Sequence, residues 1–130
     1  MILLRTILGF VVAVFLIISS FLHSILGWKS ISSQLRDAHA PEELTANLAL
    51  GWHLSGAAMF TFGVMLIVLF AKFLKNRATP LWPGQVIAIF YACFGIWALV
   101  ESRNPFFAIM FITPGVLLLF AAFGSSPKPA

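Results

Sequence analysis

Two histidines, His23 and His53, and one carboxylate, Glu101, stand near the edges of otherwise apolar runs. Imidazole and carboxylate are the side chains from which metal and proton chemistry is most readily built. His23 lies near the end of one run and His53 near the start of the next, so two antiparallel helices would bring them to similar depth from opposite directions. Glu101 closes a third run on the same expected side. Three readings compete. In the first, His23, His53 and Glu101 bind a divalent metal, with His39 as a fourth ligand and Ser19 and Ser20 orienting His23. No H-x-x-x-H or E-x-x-H spacing puts two of these ligands on one helix. In the second, His23 and His53 are the axial ligands of a b-type haem, and the small residues Gly51, Ser55, Gly56 and Ala57 leave room for the macrocycle. In the third, which carries the most weight, no cofactor is held. The polar groups there hydrogen-bond to water, Ser24, Ser55 or each other, and tie the ends of three helices together. No residue is assigned a catalytic role.

The elements that must position these residues follow from the hydropathy. The chain has 130 residues, of which 61% are hydrophobic and 9% charged, and its mean hydropathy is +1.02. This balance is far from that of a water-soluble domain. Apolar runs at 7–26, 48–71, 81–100 and 106–123 are each close to the length a helix needs to cross a hydrocarbon core of roughly 30 Å. The expected fold is all-α, a single membrane domain over 1–130 built as an antiparallel four-helix bundle. Arg5 before the first run gives the look of a secretory signal. That run is long for a signal core, however, and Ser24 to Trp28 offers no small-residue cleavage site, so it is expected to be retained.

Punctuation residues sharpen the boundaries. Pro41 with Glu42 and Glu43 suits the first turn of the second helix. Trp82-Pro83-Gly84 opens the third at an interface, and Asn104-Pro105 reads as an N-cap and first-turn proline for the fourth. Pro114 and Gly115 should bend that fourth helix. Residues 29–45 are the one sizeable polar segment, a loop in which Ile31, Leu35 and Ala38 recur at helical spacing. A surface-lying amphipathic helix and a solvated connector with one helical turn fit it equally. Residues 72–80 form a shorter loop, and 124–130 a disordered tail. Gly9 with Ala13, Gly51 with Ser55, and Ala88 with Ala92 are small-residue pairs suited to close helix contact.

Basic residues set the orientation. Both chain ends and the 72–80 loop carry Arg5, Lys72, Lys75, Arg77 and Lys128 with no acid. The other two connections hold Lys29, Arg36 and Arg103 together with Asp37, Glu42, Glu43 and Glu101. The bias places both termini in the cytoplasm and the 29–45 loop outside. The net charge of +4 thus reads as topology, and no basic patch or motif points to nucleic acid. The lone Cys93 excludes an intrachain disulfide, a CxxC pair and a multi-cysteine metal site. No charged residue is expected near the bilayer midplane, which disfavours an ion-coupled transporter, and no phosphate-binding loop or serine-hydrolase pattern occurs.

The stretch Leu50-Gly51-Trp52-His53-Leu54-Ser55-Gly56, preceded by His23-Ser24-Ile25-Leu26-Gly27-Trp28, resembles a pattern in small uncharacterised bacterial four-helix membrane proteins, broadly DoxX-like in architecture. It covers the first two helices and their connection. The resemblance implies a bacterial inner-membrane location and a four-helix bundle, and carries over no activity. The expected function is a non-catalytic membrane component, either an accessory subunit of a larger membrane complex or homo-oligomer, or a small-ligand-binding bundle in contact with the lipid bilayer. The alternative is a metal- or haem-carrying redox or enzyme subunit using His23 and His53.

Overall fold

The computed structural model describes residues 1–76 and 78–123, and among these every regular element is helical. Helix α1 spans Ile2–Phe21 and passes through a π-helical segment, Leu22–Gly27, into α2, Trp28–Asp37. Helix α3 spans Glu42–Lys75 and α4 spans Trp82–Ser102. A second π-helical segment, Ala108–Ile112, leads into α5, Thr113–Phe123. Three helical stretches, Ile2–Asp37, Glu42–Lys75 and Trp82–Ser102, are long and apolar enough to cross a membrane, and Ala108–Phe123 is a shorter apolar helix. The expected 124–130 tail, Lys128 and Arg77 lie outside the described residues.

The first helical stretch differs from its expected bounds at both ends. It starts at Ile2, so Arg5 lies inside the helix and is buried. It continues to Asp37 through most of the segment read as a polar loop. No proline or glycine interrupts Trp28–Asp37, and Ile31 and Leu35 form an i, i+4 stripe that is partly buried while Lys29, Gln34 and Arg36 stay exposed. Continuing a helix costs far less than starting one, so the helix runs on until the chain supplies a stop. The stop is a Schellman motif: the Ala40 N–H donates to the Leu35 carbonyl at 2.9 Å and the His39 N–H to that of Arg36 at 3.0 Å. His39 takes the left-handed position at φ 55° that glycine usually fills. Pro41 follows directly, and Glu42 and Glu43 open α3 at the positive end of its dipole.

The chain packs as two compact units. One comprises residues 1–13 and the chain from Met65 onward. In it Phe70 and Phe73, on α3, are fully buried with Leu66, Leu118 and Ala121. Gly9 lies against the Phe70 ring. Helices α4 and α5 approach most closely at Gly115, where an added Cβ would sit 2.8 Å from the Ala92 backbone nitrogen and 3.2 Å from the Ala88 carbonyl. The expected Ala88 and Ala92 pair therefore serves this contact. Gln85 donates to the Ala122 carbonyl at 3.2 Å, and Phe94 meets Phe111 edge-on with centroids 5.0 Å apart. The Asn104 side chain accepts from the Phe106 N–H at 3.0 Å, as its capping position predicts. Just before Pro114 the backbone widens: the Thr113 N–H reaches back to Ala108, one residue further than in an α-helix. Proline has no N–H and its ring crowds the preceding turn, and the wider turn absorbs both effects.

The other unit is Val14–Val64, containing the rest of α1, the first π segment, α2 and most of α3. Its segments pair in opposed order: Phe21 meets Phe60 edge-on at 5.8 Å, Ser24 faces Gly56, and Trp28 lies 5.6 Å from His53. Gly51 has no atom within 4 Å of an added Cβ. Its expected partner in close contact, Ser55, is instead engaged by His23.

Candidate functional site

The π segment Leu22–Gly27 carries His23 and Ser24, and its widened turn reaches α3 at Trp52 to Gly56. The His23 ring lies flat on the Trp52 indole, with centroids 4.3 Å apart and planes 6° from parallel. Trp52 returns a hydrogen bond from its indole Nε1–H to the His23 carbonyl at 2.8 Å. That carbonyl also accepts from the Trp28 backbone N–H, the five-residue bond of a π turn. Gly27 makes the approach possible, since a Cβ there would stand 2.9 Å from the indole.

The edge of His23 is equally engaged. The Ser55 hydroxyl donates to the Trp52 carbonyl at 2.7 Å. Its single proton is thereby used, so its oxygen accepts from Nε2–H of His23 at 2.8 Å. Nε2 also lies 3.2 Å from the Trp52 carbonyl. His23, Trp52 and Ser55 form a reciprocal clamp between the π segment and α3, in which the imidazole face, one ring nitrogen and the backbone carbonyl of one residue all hold the same partner helix. Trp28 adds a tilted contact 6.5 Å from Trp52.

His53, the next residue along α3, points elsewhere. It is exposed, packs on Trp28, and borders an open cleft of about 390 Å³ lined also by Ser20, Ser24, Gly56, Ala57, Phe60 and Thr61. Gly56 on its floor lets the two segments approach closely, since a Cβ there would collide with Oγ of Ser24. Ser20 donates to the Ile17 carbonyl at 2.6 Å and Thr61 to that of Ala57 at 2.9 Å. The Ser24 hydroxyl and the His53 ring have no hydrogen-bond partner among the described residues.

The remaining residues singled out from the sequence are placed differently. His39 occupies the turn after α2, where Nδ1 lies 3.2 Å from the Arg36 carbonyl. Glu101 is exposed on the last turn of α4, in the other compact unit. Ser19 is buried. No group of three or more His, Cys, Asp or Glu side chains able to share a metal ion is assembled among the described residues.

Two features escaped the sequence reading. Trp52, whose residue type by itself suits an interfacial anchor, shares a helix face with Ser55 and Gly56, three and four residues on. That spacing is the signal for a partner surface. Arg5, read as a flank, lies 5.3 Å over the Phe73 ring and donates Nε–H to the Ala121 carbonyl at 3.0 Å. It meets the negative end of α5, where a cation is favoured. Nothing in local spacing marks it. Comparison with protein families, curated proteins and solved structures gives no match to this chain.

Proposed function

We propose that this chain is a non-catalytic integral membrane protein, an antiparallel four-helix bundle that serves as an accessory or small-ligand-binding component. The observation that carries the non-catalytic reading is the His23 clamp. Its ring face is covered by Trp52, and its Nε2 is spent on Ser55 and the Trp52 carbonyl. A group so engaged holds two segments together, and metal or haem ligation through Nε2 would require it to let go of both partners first.

Membrane insertion is supported by what the helices leave outside. Leu50, Leu54, Trp82, Val86, Val100, Ile109 and Phe120 are all more than half exposed, far more apolar surface than a water-soluble monomer leaves open. The opposed pairing of Phe21 with Phe60 and Trp28 with His53, and of Gln85 with Ala122 and Tyr91 with Phe111, supports antiparallel neighbours. The charge bias favours cytoplasmic termini, and the DoxX-like resemblance favours a bacterial inner membrane.

An optical spectrum and metal analysis of the detergent-purified protein, beside His23→Gln and His53→Gln, test the reading. It expects no Soret band and no stoichiometric metal, with unchanged content in both variants. A chromophore or metal lost from both variants would replace it with the cofactor reading.

A further inference from the structure

The cleft beside His53 is graded along its length. At one end stand the His53 imidazole and the Ser24 hydroxyl, each with hydrogen-bonding capacity that no described residue uses. About one and two helical turns further along α3, Ala57 and Phe60 form the wall, with Phe21 edge-on to Phe60 at 5.8 Å. Gly56, buried and without a side chain, leaves the Ser24 hydroxyl uncovered on the floor. Ser20 and Thr61 at the far end spend their hydroxyl protons on the Ile17 and Ala57 carbonyls, so the unspent hydrogen-bonding capacity lies toward the connection between α2 and α3 and the aromatic rings lie away from it. A single-chain lipid standing in a bilayer has the same polarity along the same axis.

We propose that this cleft binds a long-chain fatty acid, with its carboxylate at His53 and Ser24 and its chain along Ala57, Phe60 and Phe21. The inference rests on the membrane reading above. The head-group chemistry follows from the donors present. One imidazole N–H and one hydroxyl border the same cleft as donors for an acceptor group, and among the described residues the lining holds no lysine or arginine to neutralise a phosphate. The open side lets a chain lie against the aromatic wall while its other face stays in lipid.

The test uses a palmitate analogue carrying a mid-chain diazirine, photolysed in phosphatidylcholine vesicles containing the full chain, with the labelled residues mapped by mass spectrometry. Label should concentrate at Phe21, Ala57 and Phe60. Oleate should compete it away, and methyl oleate and lysophosphatidylcholine should not. Ala57→Phe, a change at an exposed position that fills the cleft, should abolish the label. His53→Leu should raise the half-competing oleate concentration roughly tenfold, the loss of one hydrogen bond to a charged group. Diffuse labelling that includes Ile89 and Ile96, or equal competition by the methyl ester or the lysolipid, would overturn the proposal even if one variant misfolds, because both are read on the unaltered chain. Release of the chain from membranes by alkaline carbonate would overturn the membrane reading and this inference together. Retention with diffuse label would overturn the fatty acid alone.

Discussion

At the scale of single residues, the clamp is a set of small terms that share atoms. Trp52→Phe keeps a ring to stack on His23 but removes the indole donor to the His23 carbonyl, which retains its bond from the Trp28 N–H, and the part of the indole that packs at Gly27. A loss of at least about 1 kcal/mol is expected in a denaturant titration in mixed micelles. His23→Ala removes the stack and the Ser55 bond together and should cost more. A double-mutant cycle with Ser55→Ala should return a coupling energy of about 0.5 to 1.5 kcal/mol, and a value near zero would show that the bond contributes nothing to stability. His39 offers the opposite sign. It holds φ 55° at the end of α2, a conformation that costs a non-glycine residue about 1 kcal/mol. His39→Gly should therefore raise the unfolding midpoint, provided the exposed bond from its ring to Arg36 is worth less than the strain. Both histidines were legible as noteworthy residues in an apolar sequence. What each one touches was not, because a ring nitrogen's partner depends on the rotation of two helices about their axes.

Helices are decided by what they can pack against, and the glycines separate the cases. Gly115 on α5 faces the backbone of α4, and a Cβ there would stand 2.8 Å from the Ala92 nitrogen. Backbone cannot step aside as a side-chain tip can, so Gly115→Ala should destabilise by about 1 to 3 kcal/mol. Gly51, on α3, meets nothing within 4 Å. Gly51→Ala should stabilise, by up to about 1 kcal/mol from helix propensity. Thermal melts of the two variants, followed by circular dichroism, should move in opposite directions. Equal shifts would mean that the close approach at Gly115 does not govern stability. Starts of elements were readable, since Pro41, Trp82-Pro83 and Asn104-Pro105 act through their own backbone chemistry. The π segment at Leu22–Gly27, which aligns His23 and Ser24 with α3, was not, because it carries no local residue that demands a widened turn; the one at Ala108–Ile112 precedes Pro114, the residue expected to bend that helix.

For the whole molecule the expectation is set by solvent. Cys93 is exposed on α4 amid apolar neighbours. If α4 spans a bilayer, a membrane-impermeant maleimide should leave Cys93 unlabelled in sealed vesicles, and a detergent-solubilised sample with a permeant reagent should label it. In a Cys93→Ser background, Arg36→Cys and Asn76→Cys should then label from opposite sides, Arg36→Cys from outside. Same-sided labelling would remove the four-span topology. The fourth helix is the sensitive point: Ala108–Phe123 is shorter than the other three, and only an even number of crossings brings both termini to the cytoplasm.

Composition and hydropathy determined by themselves that this is an all-helical chain whose apolar stretches suit a membrane, because helix is the structure that satisfies its own backbone where water is absent. Local chemistry determined several helix starts for the same reason: caps and prolines act within one turn. The tertiary structure alone decided that Arg5 would be buried against Phe73 and α5, and that His23 would be locked to Trp52 and Ser55 while His53 faced an open cleft. Each of these depends on which face of one helix meets which face of another. That choice is made by packing between segments distant in the chain, and spacing along a single helix can mark a partner face without naming the partner.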